Sequence, residues 1–309
     1  MTRHVELART YDAARPRLTR VAYAILGSHA DAEDVVADTW LKLVQADARE
    51  PVRDVLGWAT VATARSALDV LRSARVRREA YVGPWLPEPL LAAGDGGALD
   101  PADRVTLDDT VRYALLVVLE RLSPAERTAW VLHDLFDMPF TEVAAAVGRT
   151  PAAVRQLASR ARAHLAEAGQ RFEVDPGRHD EVVGAFVVAA AGGDLAMLIG
   201  TLDTDVVLTS DGGGVVSAAR RPVSGSDRVA RFILGIAAKH EGSILPVKVN
   251  GATGLAVMNG EAVHSVVSLT VRGDRISRID MVLAPDKLRR VRAEQLDAAG
   301  PTLTEEAPC

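Results

Sequence analysis

A single residue, Arg149, separates a helix-ending glycine, Gly148, from the next helix start, Thr150-Pro151, and that spacing restricts the fold of this chain more than any other feature of it. Upstream, Ser123 before Pro124 supplies an N-cap with proline at the first helical position, and Glu126 completes a capping box. The apolar residues Ala129, Val131, Leu132, Leu135 and Phe136 then recur near a 3.6-residue period until Asp137, Met138 and Pro139 interrupt them. Thr141 is expected to cap a short helix, EVAAAV, and Gly148 to end it in a left-handed conformation. Two helices joined by so short a turn must cross steeply, which is the geometry of a helix-turn-helix.

The helix after that turn places Val154, Leu157, Ala158, Ala161 and Leu165 on one face. Arg155, Gln156, Ser159, Arg160 and Arg162 take the others, with Arg149 and Thr150 at its start. No acidic residue lies between Arg149 and Leu165. An arginine-rich helix is often only a solvated face, but such a face in a net-acidic protein usually carries i,i+4 carboxylates. Contact with duplex DNA is therefore expected. The arginines suit phosphates, and Arg155 and Gln156 near the helix start suit base edges.

The 309 residues suffice for two or three domains, and 48% apolar with 25% charged residues describes a globular chain. No segment has the length and apolarity of a membrane span, and the N-terminal MTRHVELARTYDAARPRL lacks the apolar centre of a signal peptide, so a cytoplasmic location is expected. The one cysteine, Cys309, leaves no internal disulfide and no cysteine-based zinc cluster; no metal or cofactor is expected. A net charge of −5 argues against coating nucleic acid by bulk charge, so basic character must be local. A second concentration exists: Arg65, Arg72, Arg75, Arg77 and Arg78, opposed only by Asp69. Two basic helices predict two places of DNA contact.

Residues 1–80 read as three helices: one to about Gly27, then DAEDVVADTWLKLVQ, then DVLGWATVATARSALDVLRSARVRRE. A Pro- and Gly-rich linker follows over 81–104. The segment 105–170 opens with a helix from Val105 to Leu122 and contains the helix-turn-helix. Over 178–291 the pattern changes. Helices are expected from His179 to Leu202, broken at Gly192-Gly193, and from Ser226 to His240; a short run Val206–Thr209 ends in the turn Asp211–Gly214. Four β-rich runs, LPVKVNG, GLAVMNG, AVHSVVSLTVRG and RISRIDMVLA, then form a strand meander. The fold class expected is multidomain, with two all-α domains followed by an α+β domain. Residues 292–309 read as a disordered tail.

The helix DAEDVVADTWLKLVQ has an apolar stripe that includes Trp40 and an acidic opposite face. Asp31, Glu33 and Asp34 favour the helix dipole, but Asp38 lies beyond the turn where that benefit fades. A partner surface of opposite sign would use it. Trp58, near the start of the third helix, is either core or a platform for an unpaired base.

In this order and spacing, ADAEDVVADTWLKL, LGWATVATARSALDVLRSARVRRE and LSPAERTAWVLHDLFDMPFTEVAAAVGRTPAAVRQLASRARAHL resemble a bacterial RNA polymerase sigma factor of the extracytoplasmic function (ECF) type, over about the first half of the chain. The resemblance implies a protein that binds core RNA polymerase and directs promoter-specific initiation. It implies that Asp34, Asp38 and Trp40 bind the β′ clamp helices. The region from Asp47 to Arg78, with Trp58, Arg65, Arg72, Arg75, Arg77 and Arg78, would open and read the −10 element. Arg149, Thr150, Arg155, Gln156, Ser159, Arg160 and Arg162 would read the −35 element, and the β flap is implied as a further polymerase contact.

Most members of that family end near residue 170. The rest of this chain resembles the subgroup with a C-terminal, cone-shaped SnoaL-like domain. The matches are the linker Trp85, Leu86, Pro87, Glu88 and Pro89, the turn Asp211, Gly212, Gly213 and Gly214, and the segment Pro285, Asp286, Lys287 and Leu288. The chain departs at Val215, where the subgroup has lysine, and at Ala284, where it has asparagine. The resemblance implies that this domain acts in cis on the sigma domains and linker, with Trp85 between prolines as a stiff apolar anchor. The same fold hosts enzymes, so a ligand sensor or an acid/base catalyst is the alternative, with Asp211, His240, His264 and Asp280 as candidates. None forms a recognisable dyad, and a fold alone does not supply a function, so the chain is not expected to be an enzyme.

Overall fold

The computed structural model describes residues 3–79, 81–91, 111–167, 175–239, 242–289 and 291. The expected tail over 292–309 and most of the linker beyond Leu91 lie outside the described residues. The chain divides into two compact units, residues 1–80 with 115–170, and residues 81–114 with 171–309.

The first unit is helical. Its α1 (Arg3–Leu26) turns Leu7, Tyr11, Ala14, Leu18, Val21, Ala22 and Ile25 inward at helical spacing. Gly27 ends it at φ 68°. Ser28 then caps α2 (His29–Arg49), its hydroxyl accepting from the Asp31 N–H. The third helix, α3 (Val55–Glu79), buries Ala59, Thr63, Ala64, Ala67 and Leu68. These are mostly small side chains, which let backbones approach closely. Tyr11 bridges α1 to α2 by donating to the Val36 carbonyl at 2.5 Å. Burial of its hydroxyl pushes the Tyr11 pKa up to about 12.

The same unit continues through most of α4 (Tyr113–Leu119), α5 (Pro124–Trp130) with one π-helical turn (Val131–Leu135), α6 (Phe140–Val147) and α7 (Pro151–Glu167). The capping box on α5 is present in both directions. Gly148 ends α6 at φ 71°, and the Thr150 hydroxyl accepts from the Ala153 N–H to open α7. Two local expectations need correction. Thr141 does not cap α6: that helix starts at Phe140, two residues before the expected Glu142, behind Pro139 and without a side-chain cap. Asp137, at φ 55°, reverses the chain, and the ring of Pro139 presets the entry. Helix α4 ends at Leu119 rather than Leu122, because Arg121 and Leu122 bond three residues back.

Among the described residues Arg127 is the largest fully buried side chain, 1% exposed. Its Nε and Nη2 both donate to the Ala24 carbonyl at 3.1 Å, and Nη1 pairs with Glu120. A buried guanidinium needs such partners. It thereby ties α5 to the end of α1.

In the second unit a six-stranded sheet runs in the order β2-β1-β6-β5-β4-β3. Its strands are β1 (Leu202–Asp211), β2 (Val223–Ser224), β3 (Ile244–Val249), β4 (Ala252–Asn259), β5 (Ala262–Arg272) and β6 (Arg275–Val282). Strands β3 to β6 form the expected antiparallel meander, whereas β1 lies parallel to β6. Helices α8 (Pro176–Ala191), α9 (Leu195–Thr201) and α10 (Ser226–Ala237) share one core with the sheet, centred on Phe186, Leu198, Val206, Val229, Leu269 and Ile279. The sequence order of helices and strands is as read; the two-residue β2 and the parallel pairing were not.

The described part of the linker, residues 81–91, belongs to this unit. Leu91 forms a bridge with Val249, and Leu90 exchanges bonds with Asn250, whose side-chain amide also donates to the Val111 carbonyl. The Tyr113 hydroxyl donates to the Pro87 carbonyl at 2.8 Å.

Candidate nucleic-acid interface and linker clasp

On α2 the carboxylates of Asp34 and Asp38 are exposed, one turn apart on one face. Leu41 continues that face and is 58% exposed, an apolar residue the sequence reading missed although it breaks a polar stripe. Trp40 is half-buried, its ring 5.2 Å from that of Tyr11, so it serves packing at least in part.

Along α3, Trp58 is half-buried and Arg65, Arg72 and Arg75 are exposed. Arg65 Nη2 donates to the Ala145 carbonyl on α6 at 2.6 Å, and Arg75 Nη1 to the Leu122 carbonyl at 3.1 Å. Arg72 pairs with Asp69 one turn away. The side chains of Arg77 and Arg78 lie outside the described residues. Two of the three described arginines on this helix are thus bonded to the carbonyls of the helix-turn-helix segment.

The outer face of α7 carries Arg155, Gln156, Ser159, Arg160 and Arg162, all exposed, as are Arg149 and Thr150 before it. Its inner face, Val154, Ala158 and Ala161, is fully buried. The compensating carboxylates absent between Arg149 and Leu165 arrive from elsewhere. Arg160 pairs with Glu126 at 3.0 Å and Arg162 with Asp134 at 2.5 Å. Burial would raise the Glu126 pKa, but its bonds from Ser123 and Arg160 outweigh that and hold it below the usual range. Arg155 lies over the Phe140 ring at 5.2 Å, with His133 stacked on the same ring at 3.8 Å. Sequence spacing gave no sign of either contact.

The second site is a clasp on the linker. Asp211, at the end of β1, is fully buried and its carboxylate accepts four hydrogen bonds: from the Tyr81 hydroxyl at 2.6 Å, Gly213 N–H at 3.0 Å, Leu86 N–H at 2.8 Å and Lys287 Nζ at 2.6 Å. Lys287 also donates to the Leu86 carbonyl at 2.5 Å and sits 4.1 Å from the centre of the Trp85 ring. The one-turn helix α11 (Pro285–Leu288) presents it. Burial, followed by the bond to Asp211, raises the Tyr81 pKa above its ordinary value. Leu86, Pro87, Glu88 and Pro89 are all buried.

The glycines of the turn have separate reasons. A Cβ on Gly212 would fall 2.2 Å from the Val216 carbonyl, and Gly213 stands at φ 67°. The two departures from the subgroup differ in consequence. Val215 is exposed, whereas Ala284 is buried and its N–H donates to the Asp211 carbonyl at 3.0 Å, a backbone contact that does not depend on its side chain.

Of the four candidates for acid/base chemistry, the three within the described residues are engaged separately. Asp211 is committed to the clasp. Asp280 is buried in a two-bond pair with Arg278; burial pushes its carboxyl upward and Arg278 opposes the shift. His264 is exposed, and His240 lies outside the described residues. Among the described residues no group of His, Cys, Asp and Glu could hold a metal ion, and no helix is long and apolar enough to cross a membrane.

An acidic helix, a basic helix and a helix with an arginine-rich outer face lie in stretches that place the chain in the sigma-70 class: residues 10–77 match sigma-70 region 2, and residues 112–165 match sigma-70, region 4. Within that class, the chain belongs to the ECF RNA polymerase sigma factors. It is 40% identical over 294 residues to the ECF RNA polymerase sigma factor SigJ of Mycobacterium tuberculosis, covering 90% of this chain and 91% of SigJ. It is 36% identical to the probable ECF RNA polymerase sigma factor SigI of the same organism, over 95% of this chain and 99% of SigI. The crystal structure of Mycobacterium tuberculosis SigJ superposes with a TM-score of 0.75 at 37% identity, covering 91% of this chain and 98% of that one. The similarity thus extends through the SnoaL-like α+β domain.

Proposed function

We propose that this chain binds core RNA polymerase, directs promoter-specific transcription initiation, and is controlled in cis by its own C-terminal domain. On this reading Asp34 and Asp38, with Trp40 behind them, meet the β′ clamp helices, and Leu41 adds an apolar contact. The α3 face bearing Trp58, Arg65, Arg72 and Arg75, continued by Arg77 and Arg78, opens and reads the −10 element. The outer face of α7, with Arg149 and Thr150, reads the −35 duplex, and the region around it contacts the β flap.

The observation that carries the regulatory half is the clasp of Asp211 and Lys287 on the backbone of Leu86. This linker segment leads from one DNA-reading region to the other, so holding it restricts their separation. A second observation agrees. The −10 and −35 elements lie about 25 base pairs apart, about 85 Å at 3.4 Å per pair. Yet Arg65 on α3 touches Ala145 on α6. The compact helical unit is therefore a resting form that must open before both elements are engaged.

In vitro transcription with core polymerase, comparing the full chain with one ending near Gly169, tests both halves. Initiation from a specific promoter by either supports the sigma activity, and a difference between them supports control by the C-terminal domain. Failure of both on every promoter of the native genome would sink the proposal.

A further inference from the structure

A cleft of about 340 Å3, open to solvent, lies on the α+β unit where linker residues 82–84 run beside the loop 212–220 that follows β1. Small-molecule sites begin at about 300 Å3. Bare backbone brings the two walls of the cleft together. A Cβ on Gly214 would lie 3.5 Å from Val82 Cβ, and one on Gly83, at φ 91°, would lie 3.9 Å from Arg220 Cα. Both walls belong to one unit, and an occupant of the cleft would touch both.

The side chains in the lining are of two kinds. Val82, Pro84 and Val215 are apolar, and the two valines, 59% and 81% exposed, leave surface in water that a hydrocarbon group would cover. The polar ones are donors. Ser210 is 3% exposed; its Oγ accepts the Ala219 N–H at 2.8 Å, and its own proton meets no acceptor among the described residues. Arg220 is exposed and forms no hydrogen bond or ion pair among the described residues. By contrast, Arg178, Arg231, Arg272 and Arg278 of the same unit each pair with a carboxylate. No carboxylate side chain lines the cleft, and the nearest in the chain, Asp211, is committed to Lys287 and the linker. A guanidinium without a partner and a buried hydroxyl proton call for an anionic acceptor, and the valines call for hydrocarbon attached to it. The planar fork of one arginine matches a carboxylate in shape and charge, whereas the second charge of a phosphate would go unanswered.

We propose that this cleft binds a small organic carboxylate, its head on Arg220 and Ser210 and its hydrocarbon along Val82, Pro84 and Val215. Because such a ligand bridges the linker and the loop, it favours the docked linker by mass action. The site is separate from the DNA-reading helices, and its occupancy is read without polymerase or DNA, so it stands whether or not the promoter-reading proposal does.

Octanoate is the probe, titrated calorimetrically into the full-length chain, with 1-octanol as the uncharged counterpart and inorganic phosphate as the anion without hydrocarbon. Saturable octanoate binding is expected, tighter than either by about tenfold. Arg220→Gln is expected to weaken it about tenfold, Arg220→Lys less, and Val215→Ser about threefold. The side chains of Arg220 and Val215 are exposed, so these variants keep the fold. Octanoate is also expected to slow proteolytic cleavage near residues 81–91 in the wild type but not in Arg220→Gln. The assignment is overturned by any of these results: no saturable octanoate binding, 1-octanol or phosphate binding as tightly as octanoate, unchanged octanoate affinity in Arg220→Gln or Val215→Ser, or linker cleavage that octanoate does not slow.

Discussion

Lys287 Nζ lies 2.6 Å from Asp211 Oδ2, and both side chains are almost completely buried. Removing one partner of such a pair leaves an uncompensated buried charge, a loss of about 3–5 kcal/mol. Lys287→Ala is therefore expected to destabilise the α+β unit by that order, read by urea denaturation. A midpoint equal to that of the wild type would show that the pair adds nothing.

Trp85→Ala removes the ring over Lys287 but leaves the Leu86 backbone bonds in place. Loosening of the linker without global unfolding is expected, seen as faster proteolytic cleavage near residues 81–91 and altered promoter output. If both cleavage and transcription matched the wild type, Trp85 would be no anchor.

Arg65→Ala deletes the bond to the Ala145 carbonyl on α6. The proposed resting form should open more readily, shortening the lag before initiation while weakening −10 binding. A variant with unaltered small-angle scattering and unaltered lag would argue that this contact does not restrain opening.

Arg155→Ala is expected to weaken binding to duplex −35 DNA, and the slope of log affinity against log salt should fall by about one for each lost phosphate contact. Phe140→Leu, which removes the ring beneath Arg155, should weaken binding in the wild type but add little in the Arg155→Ala background. Fully additive effects would separate the two residues.

Glu126 has a pKa lowered by folding, so its contribution to stability is present above the unfolded-state value of about 4.3 and is lost as pH falls through its folded value. The stability difference between wild type and Glu126→Gln should therefore shrink on acidification below about pH 4. A difference that stayed constant from pH 6 to pH 3 would contradict the capping role assigned to the charge.

Much of the architecture was legible from local signals. The capping box at Ser123 and Glu126, the stop at Gly148, the break at Gly192-Gly193 and the four strands from Ile244 to Val282 each depend on neighbours within a few residues. So did the outward face of α7. The start of α6 lies two residues before the expected one because a proline and a left-handed aspartate replace a side-chain cap. The clasp was visible only as three separate short motifs.

Chain-local chemistry thus determined the helices, the strands and which faces carry charge, because caps, turns and periodicity act over one or two turns. Tertiary structure alone decided who meets whom. Arg127 reaches Ala24, Arg160 and Arg162 find carboxylates on other helices, β1 joins β6 in parallel, and Asp211 and Lys287 close on Leu86. Each of these joins residues far apart in the chain. What selects them is the cost of burying a charge or a backbone amide without a partner, which no local pattern records.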